Sequence, residues 1–336
     1  MRTAHLSRSV EMRSVVVCTA LIVSAIAVSL LALASGSYHL SIEQVVSALF
    51  GGESRQVREI VVEWRLPRVA AGLIFGAALG VSGAMFQSLT RNPLASPDVI
   101  GFSTGSYTGA LVVMLVTGGG YLGVAGGALG GGIVTAVLVY VLAYRRGVQG
   151  FRLIIVGIAV SAMLASLNTW MILRADLDTA MGAAAWGIGS LNGVRWDQVL
   201  GGGVVIGALF AVGASVSRPL GELELGDDVA AAHGVRVGTS RLVVVVVGVA
   251  LTATVTAASG PIAFVALAAP QIARRCARTA RITLMPAACT GALLLAVADY
   301  AAQHVASTPL PVGVITVVIG GTYLGWLLFR EARQRV

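Results

Sequence analysis

The chain contains no lysine; all 23 basic residues are arginine. That absence removes the lysine of a phosphate-binding P-loop, the Schiff-base lysine and the lysine anchor of pyridoxal phosphate. If ATP drives this protein, another chain binds it. Charge of either sign is scarce, at 11% of 336 residues, where a soluble domain carries about 25%. Too few polar groups remain to cover a water-facing surface. Cysteine is thin as well: Cys18, Cys276 and Cys289 are widely spaced, with neither metal-ligand spacing nor a disulfide framework. His5, His39, His233 and His304 are scattered. No acid, base and nucleophile set clusters as a membrane enzyme would require. The expectation is a chain with no catalytic site, no metal, no bound cofactor and no nucleic-acid partner.

What the sequence has instead is apolar length. Apolar residues make up 57% of it, and 42 glycines punctuate the apolar stretches. Ten segments of roughly bilayer length emerge, at 15–35, 66–89, 98–117, 122–143, 152–173, 198–217, 241–259, 263–279, 285–306 and 312–329. The fold class expected is all-α: one polytopic membrane domain over residues 1–336. In lipid, small residues let helix backbones approach closely, because van der Waals packing must replace the hydrophobic drive. Gly72, Gly76 and Gly80 lie at i, i+4 and i+8, and Gly119, Gly123, Gly127 and Gly131 repeat the spacing.

Arginine sets the orientation. Arginine concentrates in cytoplasmic loops. With the N-terminus inside, 17 of the 23 fall on inner segments, and Arg55, Arg58, Arg65, Arg68, Arg174 and Arg195 on outer ones. This predicts a multi-pass protein of the cell membrane with both termini cytoplasmic. Ala32-Leu33-Ala34 resembles a signal-peptide cleavage site, but the apolar run before it exceeds the 7–15 residues of a signal core. It reads as a membrane helix. Two segments do not cross: 177–194 outside, with Trp186 and Trp196 suited to an interface belt, and 218–240, the longest polar inner connection.

Several motifs carry mechanical rather than chemical meaning. Arg65-Leu66-Pro67-Arg68 enters the second span with proline in the first helical turn, where its missing N–H costs nothing. The two arginines are expected at the outer rim, as interfacial anchors or as docking points for an acidic partner. Asn92 and Pro93 break the chain after that span, and Ser96, Pro97 and Asp98 read as N-cap, N1 and N2 of the next helix. Within 218–240, Leu220, Gly221, Leu223 and Leu225 lead to Gly226, and Asp227 reads as N-cap of a short helix from Asp228 through Ala231 to His233, closed by Gly234. Two capped elements make either a rigid knob able to transmit a push or a solvated loop. Pro261 ends the seventh span and Pro270 kinks the eighth. Asp299 lies well inside the ninth with no arginine mate evident in the spans, which leaves a functional charge or a buried polar contact.

At these residues the sequence resembles the FecCD family of ABC importer permeases. The stretches that carry the likeness are RLPR at 65–68, GAALGVSGAMFQSLTRNPLASPDVIGFSTG at 76–105, WGIGSLNGVRW at 186–196, LGDDVAAAHGV at 225–235, GPIAFVALAAPQIAR at 260–274 and LPVGVITVVIG at 310–320. The resemblance implies a type II ABC importer permease-like fold. It also implies a second permease subunit, identical or related, two ATP-binding cassette ATPase subunits beneath, and an extracytoplasmic substrate-binding protein above. The cargo would be a metal chelate: ferric siderophore first, haem or cobalamin as alternatives. Segment 218–240 would enter the ATPase, the arginines Arg65 and Arg68 would meet glutamates of the binding protein, and the second and fifth spans would line the pathway. The sequence departs from the family pattern at Gln271, at Thr279-Ala280-Arg281, at Gln303 and at Pro309. An ion-coupled secondary transporter is the rival class, for which Asp299 and His304 are thin material.

Overall fold

The computed structural model describes residues 12–36, 38–144, 150–279 and 282–334. Of the arginines used for orientation, Arg2, Arg8, Arg145, Arg146, Arg281 and Arg335 lie outside the described residues. Helix α1 (Met12–Ala34) leads to the short α2 (Ile42–Leu49), where Ser41 and Gln44 form a reciprocal capping box. Next comes one continuous rod of 36 residues, Arg55–Thr90. It consists of α3 (Arg55–Arg58), a π-helical stretch Glu59–Arg65, and α4 (Leu66–Thr90).

The rod corrects the expected entry of the second span. Pro67 does not begin a helix; the helix reaches it from behind. Proline has no N–H and its ring collides with the carbonyl four residues back. The backbone answers with a wider turn, in which the N–H of Leu66 bonds to the Val61 carbonyl.

The remaining elements are α5 (Phe102–Thr117), α6 (Tyr121–Ala143), α7 (Gly150–Arg174), α8 (Leu177–Trp186), α9 (Trp196–Ser215), α10 (Ser217–Leu225), α11 (Asp227–Ala232), α12 (Val237–Ser259), α13 (Val265–Ala277), α14 (Leu284–His304) and α15 (Val312–Gln334). Among the described residues, seven helices are long and apolar enough to cross a membrane, and α5 and the Val312–Trp326 part of α15 are shorter apolar helices. With the 13-residue α13 these account for the ten expected spans. Outside them, Asp176 caps α8 through its carboxylate, and the N–H of Thr179 holds that carboxyl below its usual range.

A second correction falls at the turn after α4. Ser96, Pro97 and Asp98 do not start α5. They form a separate turn, with the Ser96 carbonyl accepting from the N–H of Ile100, and α5 begins at Phe102 behind Gly101 in the left-handed region (φ 92°). Asp98 turns inward and accepts from Ser103 Oγ at 2.6 Å rather than solvating a helix start.

The core is built around α4 and α12, each 72% buried over its most apolar window. Glycine decides how closely α4 is approached. A Cβ at Gly76 or Gly80 would collide with backbone of Gly291 or Ala287 on α14, and one at Gly83 with the carbonyl of Ala266 on α13. Ala266 is the residue whose carbonyl loses its helical donor because Pro270 has no N–H. The proline therefore does more than bend α13: it frees a carbonyl that lies against Gly83. On the other side, Gly127 and Gly131 of α6 meet Gly109 and Gly105 of α5. By contrast α1, α7 and α9 are only 11–17% buried over their windows, and their apolar faces are left for lipid or for another subunit.

Candidate functional site

Two clusters of polar side chains sit at opposite ends of α4. The first surrounds α10 and α11, the two short helices of segment 218–240. Leu220 and Leu223 are buried against the bundle, while Leu225 is half exposed and points away. Gly226, not Asp227, stands at the N-cap of α11, with φ 125° and ψ 155°. Asp227 is the first helical residue, and its carboxylate is spent elsewhere. It takes Nη2 of Arg91 at 2.8 Å and Nη2 of Arg241 at 2.6 and 2.8 Å.

Those two arginines come from the end of α4 and the beginning of α12. Arg91 closes α4 in the left-handed region (φ 54°) and also donates Nε to the Leu223 carbonyl at 3.0 Å. Ser88 Oγ, one turn earlier, donates to Glu224 at 2.5 Å. His233 pairs with Glu222 at 2.8 Å across the two short helices. At the far end Gly234 (φ 80°) donates to the Ala231 carbonyl, and Val235 to that of Ala230, which closes the last turn. The hairpin is thus tied to both central helices of the core. Asp228, Val229, Ala231 and Gly234 are exposed on its outer face, and Gly221 is half-buried at its base.

Beneath the hairpin lies a cleft of about 180 Å³ lined by Gln87, Ser88, Arg91, Asn92, Pro93, Glu224, Gln271, Arg274 and Ile282. Gln271 donates to Gln87, which donates to the Leu267 carbonyl at 2.9 Å, so α13 and α4 are joined below it. Asn92 accepts from the N–H of Leu94 at 2.9 Å, an Asx turn that directs the chain away from α4 at Pro93. The sequence did not flag Arg241, Ser88 or Glu224 as anchors. Residues 136 and 14 positions apart leave no periodic trace.

The second cluster supplies the mate that the sequence left Asp299 without, and corrects the expected exposure of two arginines. Arg68 places Nε and Nη2 on both carboxylate oxygens of Asp299 at 2.8–3.1 Å, and Gln303 adds a third donor at 2.9 Å. Their side chains are 16% and 5% exposed. Arg65 donates to the carbonyls of Leu33 and Tyr38 at 2.7 and 2.6 Å. Neither guanidinium stands free at the rim; the exposed arginines of that rod are Arg55 and Arg58. The mate of Asp299 lies 231 residues away in sequence, where the start of α4 meets the end of the antiparallel α14.

Near the same end, three loops interlock. Ser190 donates to the Ser259 carbonyl at 2.8 Å, Gly313 to that of Gly189 at 3.0 Å, and the Pro261 carbonyl lies against Gly189 (φ 75°). Phe264 then starts α13 with φ 68°, a left-handed conformation for a bulky side chain. Trp196 is no mere belt residue, since its indole donates to the Val62 carbonyl at 2.9 Å.

The sequence pattern of the FecCD transport family matches residues 21–330. A ferric enterobactin transport system permease protein, FepG, of Escherichia coli K12 is 48% identical over 327 residues, 97% of this chain and 99% of that one. An iron(3+)-hydroxamate import system permease protein, FhuG, of Bacillus subtilis is 33% identical over 85% of this chain and 88% of its own. A solved metal-chelate type ABC transporter in an inward-facing conformation superposes with a TM-score of 0.83 at 25% identity, covering 93% of this chain and 98% of that one.

Proposed function

The chain belongs to the FecCD transport family, and from that premise we propose that it is the permease subunit of an ATP-driven importer of ferric siderophores. The observation that carries the mechanical half of this reading is the hairpin lashed to α4 and α12 through Arg91, Asp227 and Arg241. A partner pressing on the exposed Leu225 and Val229 moves both central helices together, because each end of the ion-pair cluster is rooted in one of them. ATP is bound and hydrolysed by two partner ATPase subunits, since no lysine is present for a P-loop. The arginine-rich end, with the hairpin and both termini, faces the cytoplasm.

At the other end, an extracytoplasmic binding protein delivers the cargo. Arg65 and Arg68 serve there as braces, holding the rod against α1 and α14, and exposed Arg55 and Arg58 on the same rod present the free positive charge. A second permease subunit covers the thinly buried faces. Within this chain α4 is too enclosed to line a path. That task falls to α7, whose exposed face carries small and hydroxyl side chains, among them Ala162, Ser166 and Thr169.

For the cargo we propose a ferric catecholate siderophore, supported by the greater identity to the enterobactin permease than to the hydroxamate one. Iron-loaded enterobactin, a hydroxamate siderophore, haem and cobalamin, each labelled, are offered to a deletion strain carrying this chain and its cognate subunits. Catecholate uptake that stops when the ATPase is inactivated is the expected outcome. Uptake that follows the ion gradient without ATP would move the protein to the secondary transporters, and uptake of the hydroxamate alone would displace the cargo assignment.

A further inference from the structure

Three arginines lie at the arginine-rich end of α1 and α13, where α13 packs on both α1 and α15. Arg13, at the start of α1, donates Nε to the carbonyl of Cys276 in the last turn of α13 at 3.3 Å. Arg275 and Arg278 stand in that same turn, three residues apart, with Arg278 closing the helix in the left-handed region (φ 50°). Arg275 is held in place by aromatic rings of α15. Its guanidinium carbon lies 5.0 Å from the Trp326 ring centre and 5.7 Å from that of Tyr323. Its Nη1 has no hydrogen-bond partner and is enclosed. Among the described residues no carboxylate forms an ion pair with any of the three arginines.

A cluster of positive charge that pairs with no carboxylate among the described residues calls for an anion, and the flanks say which kind. From Arg13 toward the middle of the bundle α1 presents Val16, 59% exposed, and Val23, 60%, and Trp326 beside Arg275 is 48% exposed. The adjoining α1 buries only 11% of its apolar window. A phosphate with acyl chains satisfies both halves of this surface; a free phosphate uses only one. Basic pockets between helix ends on the cytoplasmic side are the places where anionic headgroups are held.

We propose that Arg13, Arg275 and Arg278 bind the phosphate of an anionic phospholipid in the cytoplasmic leaflet, with its acyl chains along Trp326, Val16 and Val23. The inference is independent of the cargo and of ATPase coupling. The test is native mass spectrometry of the assembled complex, titrated with phosphatidylglycerol or phosphatidylcholine. The parent should retain phosphatidylglycerol selectively, and R275Q/R278Q should weaken that binding roughly thirty-fold, as two surface charges imply. Arg275→Lys keeps the charge but loses the planar stack, and should fall between the two.

Equal retention of both lipids by the parent, or unchanged retention in the double variant, overturns the proposal. So does displacement of bound phosphatidylglycerol by millimolar inorganic phosphate, which would mark a free-anion site. Loss of the ATPase subunits from the double variant with lipid retention intact would assign the cluster to a protein carboxylate instead. Subunit stoichiometry is read in the same spectra, so a misfolded variant is recognised by its failure to assemble.

Discussion

Replacing Asp299 with alanine should be among the most damaging single changes in the transmembrane region. The change leaves the Arg68 guanidinium, 16% exposed, facing a site from which its bidentate partner has been removed. Removing one member of a buried pair costs about 3–5 kcal/mol, because a charge is left uncompensated. Arg68 retains some access to the bundle end, which places the expected cost near the low limit, about 3 kcal/mol. Taking away both charges is a different perturbation. R68M/D299L fills the same space with apolar atoms and should cost about 1 kcal/mol or less, giving a coupling of about 2 kcal/mol or more between the sites. Gln303→Leu removes only one neutral donor to the carboxylate and should cost about 1 kcal/mol. Unfolding in mixed micelles of these variants and of Arg68→Met and Asp299→Leu alone, followed by fluorescence of the five tryptophans, supplies the costs and closes the cycle. Additive single and double variants, or an Asp299→Ala cost below about 1 kcal/mol, would refute the claim that this pair fastens α4 to α14.

The other predictions concern backbone contact and coupling. Gly83→Ala puts a methyl into the Ala266 carbonyl and should destabilise by about 3 kcal/mol or prevent assembly, whereas Gly126→Ala, which meets nothing, should gain up to about 1 kcal/mol; equal melting of the two in detergent would dismiss the close-contact argument. Asp227→Asn loosens a cluster whose Arg91 and Asp227 side chains are both 44% exposed, so stability should change by less than about 1 kcal/mol while ATP-driven uptake in proteoliposomes falls severalfold. Leu225→Glu with Val229→Glu should likewise leave the melting curve in place and abolish stimulation of the ATPase; normal stimulation would make the hairpin an ordinary solvated connection.

What the sequence disclosed follows from how far apart the interacting residues are. Span number was legible because each span is a continuous apolar run. The glycine spacing on α4 gave the packed face, since Gly76 and Gly80 share one side of a helix. Capping was read with an error of one residue at Gly226 and of several at Ser96. At Gly226 a carboxylate beside a helix start looked like a cap, and only distant arginines reveal that it is engaged elsewhere; at Ser96 the hydroxyl does accept from the N–H of Val99, but that turn is not continued into α5. Arg68 with Asp299, Arg241 with Asp227 and Ser88 with Glu224 are products of topology, for which a single chain carries no local sign. The π-helical stretch was also hidden, because Pro67 reads as a helix start unless the preceding turn is known to be helical.

The same contacts decide which parts of the molecule can move. The rod Arg55–Thr90 spans about 54 Å, with the hairpin at one end through Arg91 and the Arg68–Asp299 pair near the other. Between these ends, Gly76, Gly80 and Gly83 bring it against the backbones of α14 and α13, where side chains offer no slack. A push at the hairpin therefore cannot bend α4 or slide it past α14 without breaking carbonyl contacts along several turns. It must shift the whole packed body. Relative motion is left to elements held by fewer contacts, α7 and α9, each 17% buried over its apolar window. The loops around Gly189, Gly260 and Gly313 lie at the end opposite the hairpin, and their backbones are packed as closely as those along α4. A rigid central rod would carry movement from one end of the bundle to the other, and these interlocked loops would move with it while α7 and α9 lag.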